Sequence, residues 1–192
     1  MNFLAHLYLA GNDEELLVGN YIADSVKGNK YLNYPDKISK GILMHREVDF
    51  FTDNNAVYLQ SVHRLQPTYG KYSGIITDMF CDYFLANNWA AFSDIPLEEF
   101  CRKTYQVLEA NKIQMPEESC IILEYMSQNN WLYSYRKAEG IRKALEGMSR
   151  RMKYYFPMDN AVAELEKNAE VYNRDFLEFF PLLVQHIAPF KG

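Results

Sequence analysis

The sequence predicts an all-α protein folded as one domain over residues 1–192. The alternation of apolar and polar residues that would indicate strands is missing, and no two-residue hairpin turn separates β-branched runs. No linker rich in Gly, Ser or Pro, internal repeat or low-complexity block divides the chain. With 192 residues, 48% of them hydrophobic, the chain has the length and composition of one globular domain with a substantial core.

The first half of the chain divides at residues that favour the starts and ends of helices. Gly28 is suited to the left-handed conformation that follows a helix, and Pro35 is suited to a helix start. The predicted segments are an apolar start at 2–9, a loop at 30–34, and helices at 13–26, 35–53, 56–65 and 69–89.

The second half follows the same rules. Pro96 closes a predicted turn and introduces a helix, and Pro116 is followed by two glutamates that favour the positive end of a helix dipole. Gly140 is the position at which the long helix predicted at 131–151 is expected to be interrupted, if it is interrupted at all. The predicted helices cover 97–110, 118–128, 131–151 and 161–185.

Charge and cysteine usage narrow the class of protein. The formal net charge of −5 argues against a binder of nucleic-acid polymers. The three cysteines form no CxxC motif and predict buried thiols in a reducing compartment, so we expect a cytoplasmic protein. The N-terminal residues lack the pattern of a signal peptide, and no apolar run reaches the ~18 residues of a membrane span.

One stretch of the chain is nonetheless basic. Seven cations lie close together in the sequence, and only two glutamates are placed among them. Such a stretch favours an acidic partner, although a solvated helix face is the ordinary alternative. The candidate partner-binding residues are Arg136, Lys137, Arg142, Lys143, Arg150, Arg151 and Lys153.

Two pairs of potential metal ligands occur at helical spacing. His45 and Asp49 are four residues apart, and so are Asp78 and Asp82. On a helix this spacing places both side chains on one face, with Cβ atoms about 5–6 Å apart. Two carboxylates on one face repel each other unless a proton or a cation lies between them. The alternatives for the first pair are an ordinary contact within the helix and a pairing of Asp49 with Arg46.

His6 and Asp24 complete the candidate metal ligands. His6 stands in an apolar run, where a histidine bonded to a backbone carbonyl is the alternative interpretation. Asp24 lies near a predicted helix C-terminus, where the helix dipole disfavours a carboxylate and a cation would compensate. Pairing of Asp24 with Lys27 is its alternative. Because carboxylates outnumber imidazoles and no thiolate contributes, the set favours Mn²⁺ or Mg²⁺.

These residues lie in segments that resemble the acyl carrier protein phosphodiesterase family, in the same order and spacing. The resemblance covers residues 1–155 and is densest in the first 90. The matching segments are MNFLAHLYLA, GNYIADSVKG, GILMHREVDFFTD, GIITDMFCDYFLANNW and NNWLYSYRKAEGIRKALEGMSRR.

The resemblance implies a fold and a reaction. The family is similar to the HD phosphohydrolases, which implies an HD-like helical bundle. Its members remove 4′-phosphopantetheine from holo acyl carrier protein with a divalent metal, which implies an acidic protein partner for the basic stretch. Carried over, the resemblance implies a site of His6, Asp24, His45, Asp49 and Asp78, with Asp82 behind them, and ranks Asp24 first for catalysis.

For that reaction, two cations near the ligands are candidates to balance charge on the phosphoryl oxygens. Lys27 and Arg46 each lie within a helical turn of a predicted ligand, and solvent exposure is the alternative for both. Asp24 is expected either to bind the metal or to accept a proton from the attacking water. The predicted catalytic residues are therefore Asp24, Lys27 and Arg46.

Two other functions stay open at this stage. The chain has Asp82-Tyr83 where the family pattern has Asp-His, and Asn88 where a histidine precedes the tryptophan. Together with 15 tyrosines able to stack on a base, these departures favour an HD-like phosphohydrolase acting on a nucleotide or another small phosphoester. The third hypothesis is a helical binding protein that has the fold but does not catalyse a reaction, because a fold does not determine a function.

Overall fold

The computed structural model describes residues 1–191, and these fold as one all-α domain without β-strands. The predicted fold class is confirmed, while the HD-like topology stays a prediction. Gly192, the last residue of the predicted domain, lies outside the described residues. The helices are α1 Phe3–Ala10, α2 Glu14–Ile22, α3 Asp36–Asn54, α4 Ala56–Tyr69, α5 Ser73–Asn87, α6 Leu97–Ala110, α7 Glu117–Gln128, α8 Trp131–Ser134, α9 Ala138–Arg150, α10 Ala161–Lys167 and α11 Ala169–Ile187.

The short helix α1 lies in the middle of the domain and packs against α2, α3 and α5. Its residues Leu4, Ala5, Leu7 and Leu9 are completely buried, so the helix is covered on nearly every side. A helix buried this way needs partners for the amides of its first turn. This central position brings His6, in the middle of α1, to the neighbouring helix α3.

The closest helix crossing joins α2 and α3. Gly19 and Gly41 face each other there, and a Cβ atom on Gly19 would lie 2.1 Å from the carbonyl oxygen of Ile38. A Cβ atom on Gly41 would lie 2.4 Å from the carbonyl oxygen of Leu16. Only glycine permits this approach, and it lets a backbone carbonyl of α2 reach a side chain of α3.

The C-terminal helix α11 closes the other side of the domain against α3, α4 and α5. Its aromatic residues Phe176, Phe179 and Phe180 are buried and stack with one another or with rings of the neighbouring helices. The buried carboxylate of Asp175 accepts a hydrogen bond from Ser61 of α4. This cluster accounts for part of the high aromatic content.

Several predicted boundaries were wrong. The helix predicted at 13–26 ends at Ile22, and 3₁₀ turns follow at Ala23–Ser25 and Gly28–Asn33, the second replacing the predicted loop at 30–34. The helix predicted from residue 69 begins at Ser73, because Gly70, with a φ of 51°, ends α4. Gly28 does take the expected left-handed φ of 58°.

The two long C-terminal predictions were wrong because each is two helices. The stretch 131–151 breaks at residues 135–137, not at Gly140, since buried Tyr135 ends α8 and Lys137 is extended. Gly140 instead packs α9 against the end of α8, where a Cβ atom would lie 2.1 Å from the carbonyl oxygen of Ser134. The stretch 161–185 is interrupted at Asn168, which caps both α10 and α11.

Candidate metal centre

Three potential metal ligands converge where α1 packs against α3. Nε2 of His6 lies 3.2 Å from Oδ1 of Asp49, and Nε2 of His45 lies 3.3 Å from Oδ2 of the same carboxylate. The ligand atoms of these three residues all lie within 4.8 Å of one another. The two imidazole rings are stacked, with centroids 3.8 Å apart. We call His6, His45 and Asp49 the triad.

The ring of His45 is oriented by helix α2. Its Nδ1 lies 2.9 Å from the backbone oxygen of Asn20, which the Gly19–Gly41 crossing brings within reach. A proton on Nδ1 donated to that carbonyl leaves the lone pair of Nε2 facing Asp49. Metal-binding histidines commonly have one nitrogen fixed in this way, so His45 has the arrangement of a ligand.

His6 supplies the observation that tests whether a cation fits. Both of its ring nitrogens are buried: Nδ1 has no hydrogen-bond partner, and Nε2 faces the Asp49 carboxylate at 3.2 Å. A buried polar group without a partner is costly, and such groups in proteins call for an explanation. A divalent ion between the triad atoms would use the lone pair of Nε2, so the residues present fit a divalent metal.

The three residues of the triad differ in their protonation states. Burial, with the neighbouring His45 in support, lowers the pKa of His6 to about 4, so this ring is neutral at pH 7. The carboxylates of Asp24 and Asp49 overcome the effect of burial and raise the pKa of His45 to about 9. Against burial, the two histidines hold the pKa of Asp49 far below its usual range. Without a metal ion, His45 is therefore protonated at pH 7. Its positive charge lies next to the carboxylates of Asp24 and Asp49, which would also stabilise a metal cation.

Asp24 lies at the open edge of the triad. It stands in the 3₁₀ turn Ala23–Ser25 after α2, with Oδ1 3.7 Å from Nε2 of His45. Its side chain is 79% exposed, and the neighbouring imidazole of His45 lowers its pKa. A carboxylate that is ionised, accessible to water and next to the triad can complete a metal site or accept a proton.

The two predicted catalytic cations lie in different settings. Lys27 is exposed, three residues after Asp24. Arg46, by contrast, donates from Nη2 to the carbonyl oxygens of Val26 and Gly28, both at 2.8 Å, and its guanidinium lies 5.3 Å from the ring centre of Tyr31. Arg46 therefore stabilises the backbone turn that follows Asp24.

Asp78 is near the triad but is occupied by other groups. Its Oδ1 lies 2.9 Å from the amino nitrogen of Met1 and accepts a hydrogen bond of 2.7 Å from the hydroxyl of Tyr58. The same amino nitrogen is 3.6 Å from Oδ1 of Asp49, so it links Asp78 to the triad. Asp78 and Asp49 overcome the effect of burial and raise the pKa of this amine to about 11.

Asp82 is not brought to the triad, which corrects the predicted ligand set. Its two carboxylate oxygens accept hydrogen bonds of 2.9 and 3.1 Å from the backbone amides of Leu4 and Ala5. These amides belong to the first turn of α1 and have no partner within the helix. Although Asp78 and Asp82 share one helix, Asp82 is a buried cap for a neighbouring helix.

Sequence reasoning missed two residues of this region, Asn20 and Tyr58. Both were detectable in principle. Asn20 is a completely buried polar residue one turn before Asp24, in the apolar second half of α2, and Tyr58 is almost completely buried with its hydroxyl on Asp78. A polar residue in an apolar helix indicates a specific partner, but the sequence does not say which partner it is.

The seven basic residues divide into two sets. Four of them, Lys137, Lys143, Arg150 and Arg151, line a single groove beside α9. The other three do not: Arg136 stacks on Tyr133, Arg142 is directed to Asp159 and Glu139, and Lys153 lies beyond the end of α9. Basic residues that are close together in the sequence therefore do not all lie on one surface of the protein.

Comparisons with known proteins find relatives along nearly the whole chain. The family model described as acyl carrier protein phosphodiesterase matches residues 1–183. The chain belongs to the acyl carrier protein phosphodiesterase family. Curated proteins of that name include one from Klebsiella pneumoniae subsp. pneumoniae, 32% identical over 96% of both chains. Others are from Enterobacter sp., 31% identical over 96% of both chains, and Photorhabdus laumondii, 30% identical over 96% of this chain and 94% of the relative.

No solved structure matches the chain. As a member of the acyl carrier protein phosphodiesterase family, the chain is a hydrolase of phosphoric diesters, and the match spans the helices that carry the triad and Asp24. Within residues 1–191, none of the helices combines the length and the apolar character that a bilayer crossing requires.

Proposed function

We propose that the chain hydrolyses the phosphodiester between 4′-phosphopantetheine and a serine of holo acyl carrier protein, with a divalent ion held by His6, His45 and Asp49. Water adds to phosphorus, the bond from phosphorus to the serine oxygen breaks, and the serine oxygen takes up a proton. The products are apo acyl carrier protein and phosphopantetheine. The observation that carries the proposal is the convergence of the triad, in which two buried histidines face one carboxylate and Nδ1 of His6 has no partner in the protein.

A divalent ion in the triad would neutralise the phosphoryl charge and lower the pKa of a bound water. Two imidazoles and one carboxylate contribute here, because Asp82 caps α1 and Asp78 binds Tyr58 and the Met1 amine. This donor set is richer in nitrogen than the set inferred from the sequence. It favours Mn²⁺ over Mg²⁺, since Mg²⁺ binds oxygen donors and water almost exclusively.

Three residues near the triad have separate roles in the proposed reaction. Asp24 is exposed and ionised at the edge of the triad, so we assign it as the group that accepts a proton from water or completes the metal site. Lys27, exposed in the same segment, would pair with a phosphoryl oxygen. Arg46 keeps Asp24 in position by holding the carbonyl oxygens of Val26 and Gly28.

The partner is an acidic protein under this proposal, and the basic stretch around α9 would attract it. The cysteines agree with a reducing compartment, since all three are free in the structure. We therefore place the activity in the cytoplasm.

The test is incubation of purified enzyme with holo acyl carrier protein and Mn²⁺, followed by mass spectrometry of the carrier protein. Loss of the phosphopantetheine mass, its dependence on the ion, and its loss in His45→Ala are the expected results. A panel of nucleotide phosphoesters incubated in parallel tests the competing small-substrate activity. Intact holo carrier protein together with turnover of a nucleotide would replace this proposal with that alternative.

A further inference from the structure

A groove lies between α7 and α9 and has an apolar floor. The groove, which we call the α7–α9 groove, has a volume of about 840 Å³. Its floor includes Ile121 and Tyr125, one turn apart on α7, together with Trp131 and Met148. Ile121 and Tyr125 are 50% and 58% exposed, which is unusual for large apolar side chains that stand together.

The rim of the groove is basic. Lys137, Lys143, Arg150 and Arg151 line it, and Glu139 is the acidic residue among its lining. Lys143 and Arg150 are 74% and 71% exposed, and their partners are exposed glutamates of α9. Exposed pairs of this kind are weak, so these cations remain able to bind an anionic partner.

The groove adjoins the triad through α1. Phe3 lines the groove, and His6 follows one helical turn later on the same face of α1. A second link joins α7 to the turn that holds Asp24, because the hydroxyl of Ser119 donates to that of Ser25 at 3.0 Å. A partner seated in the groove would therefore lie beside the site of hydrolysis.

We propose that the α7–α9 groove docks an acidic amphipathic helix on the surface of the carrier protein. This inference rests on the proposed function, which supplies an acidic protein as the partner. A helix in a groove places apolar side chains at helical spacing against an apolar floor and its polar face at the rim. The apolar floor and the four cations of the α7–α9 groove match that pattern on both counts.

Gly147 provides a variant that fills the groove without disturbing the fold. It lines the groove, and a Cβ atom built on it would meet no other atom within 4 Å. Gly147→Phe projects a ring into the space that the partner would occupy. Because glycine is a poor helix former, the change should leave α9 as stable as before or more stable. Gly74→Phe is the matched control, since Gly74 is also helical with open space and does not line the groove.

The binding experiment uses fluorescently labelled apo acyl carrier protein, which is not hydrolysed, and measures Kd by anisotropy. We expect Gly147→Phe to weaken binding at least about tenfold, while Gly74→Phe stays within about twofold of the wild type. Hydrolysis of holo carrier protein should show a matching rise in KM with a nearly unchanged kcat. Mn²⁺ affinity, measured by calorimetry, should be the same in all three proteins.

A charge experiment tests the rim separately. Lys143→Glu/Arg151→Glu should weaken binding at least about tenfold at low salt, and the difference should shrink as salt screens the interaction. Lys71→Glu/Lys167→Glu changes net charge equally at exposed positions outside the groove and outside the basic stretch, and should bind almost as the wild type does. Equal losses in the two double variants would mean that only net charge matters, which contradicts the proposal.

Other outcomes also decide the question. Wild-type affinity in Gly147→Phe and in the rim variant would exclude the groove even if hydrolysis is normal. If Gly147→Phe instead abolishes self-association in sedimentation, or binding to anionic vesicles, while carrier binding persists, the groove's occupant is a second copy or a membrane surface. If the wild type binds apo carrier protein but does not hydrolyse holo carrier protein, the proposed function is refuted, while the proposal that the groove docks the carrier protein is not.

Discussion

Replacing Asp82 with alanine tests whether this residue is a metal ligand or a cap for helix α1. The sequence predicts a metal ligand, whereas the structure shows a buried cap for the first turn of α1. In Asp82→Ala the amides of Leu4 and Ala5 lose their acceptors inside the core. Each buried amide without a partner costs about 1–3 kcal/mol, and removal of a buried carboxyl offsets part of this cost. We expect a net loss of about 2–4 kcal/mol in the free energy of unfolding.

The assay is urea unfolding at pH 5 with metal chelated, followed by circular dichroism. A loss of this size corresponds to a fall in Tm of roughly 5–15 °C for a chain of this length. Asp94→Ala is the control, because Asp94 is exposed and the same change there should alter stability by less than about 0.5 kcal/mol. An Asp82→Ala protein with wild-type stability and no Mn²⁺ binding would refute the assignment as a cap.

The dependence on pH gives a second signature of the same residue. Burial, opposed by the amides of Leu4 and Ala5, raises the pKa of Asp82 to about 7. The folded state therefore holds a proton that the unfolded state releases between pH 4 and 7, so this carboxyl makes stability fall as the pH rises through that window. Asp82→Ala should lack this contribution, and its deficit relative to the wild type should be largest near pH 4. A deficit that grows from pH 4 to pH 7 would contradict the assignment.

The remaining predictions concern the triad and its surroundings. His6→Ala should lower Mn²⁺ affinity by more than the ~10–100-fold that changes to outer-shell residues cost, as calorimetry would show; an unchanged affinity would remove His6 from the site. Asp24→Asn should slow hydrolysis of holo carrier protein by at least ~10²-fold and leave urea stability nearly unchanged, and wild-type turnover would exclude Asp24 from the mechanism. Arg46→Lys keeps the charge but not the planar donor, so we expect kcat/KM to fall roughly tenfold with unchanged Mn²⁺ affinity; full activity would show that the turn needs no such support. Exhaustive chelation should abolish activity, Mn²⁺ should restore it better than Mg²⁺, and turnover in the chelated enzyme would overturn the metal-dependent mechanism.

The sequence predicted the fold class, because the absence of strand patterns can be seen along the whole chain. It also predicted the facing of His45 and Asp49, because that depends on the period of a single helix. It did not predict which of the two aspartate positions on α5 meets the triad. Helical spacing says that Asp78 and Asp82 share a face, but the neighbour that lies against each one depends on tertiary packing. The break at residues 135–137 was hidden for the same reason. No glycine or proline marks it, and the burial of Tyr135 accounts for it only once α8 and α9 are in contact.

The two carboxylates of α5 act together on the start of α1. Asp82 binds the amides of Leu4 and Ala5, and Asp78 lies against the amino nitrogen of Met1. His6 is one turn further along the same short helix, and Nδ1 of its ring has no hydrogen bond that would anchor it independently of α1. Its position opposite His45 is therefore set by where α1 begins. Carboxylates predicted as metal ligands thus contribute to the triad indirectly, by holding the helix that carries one of its imidazoles.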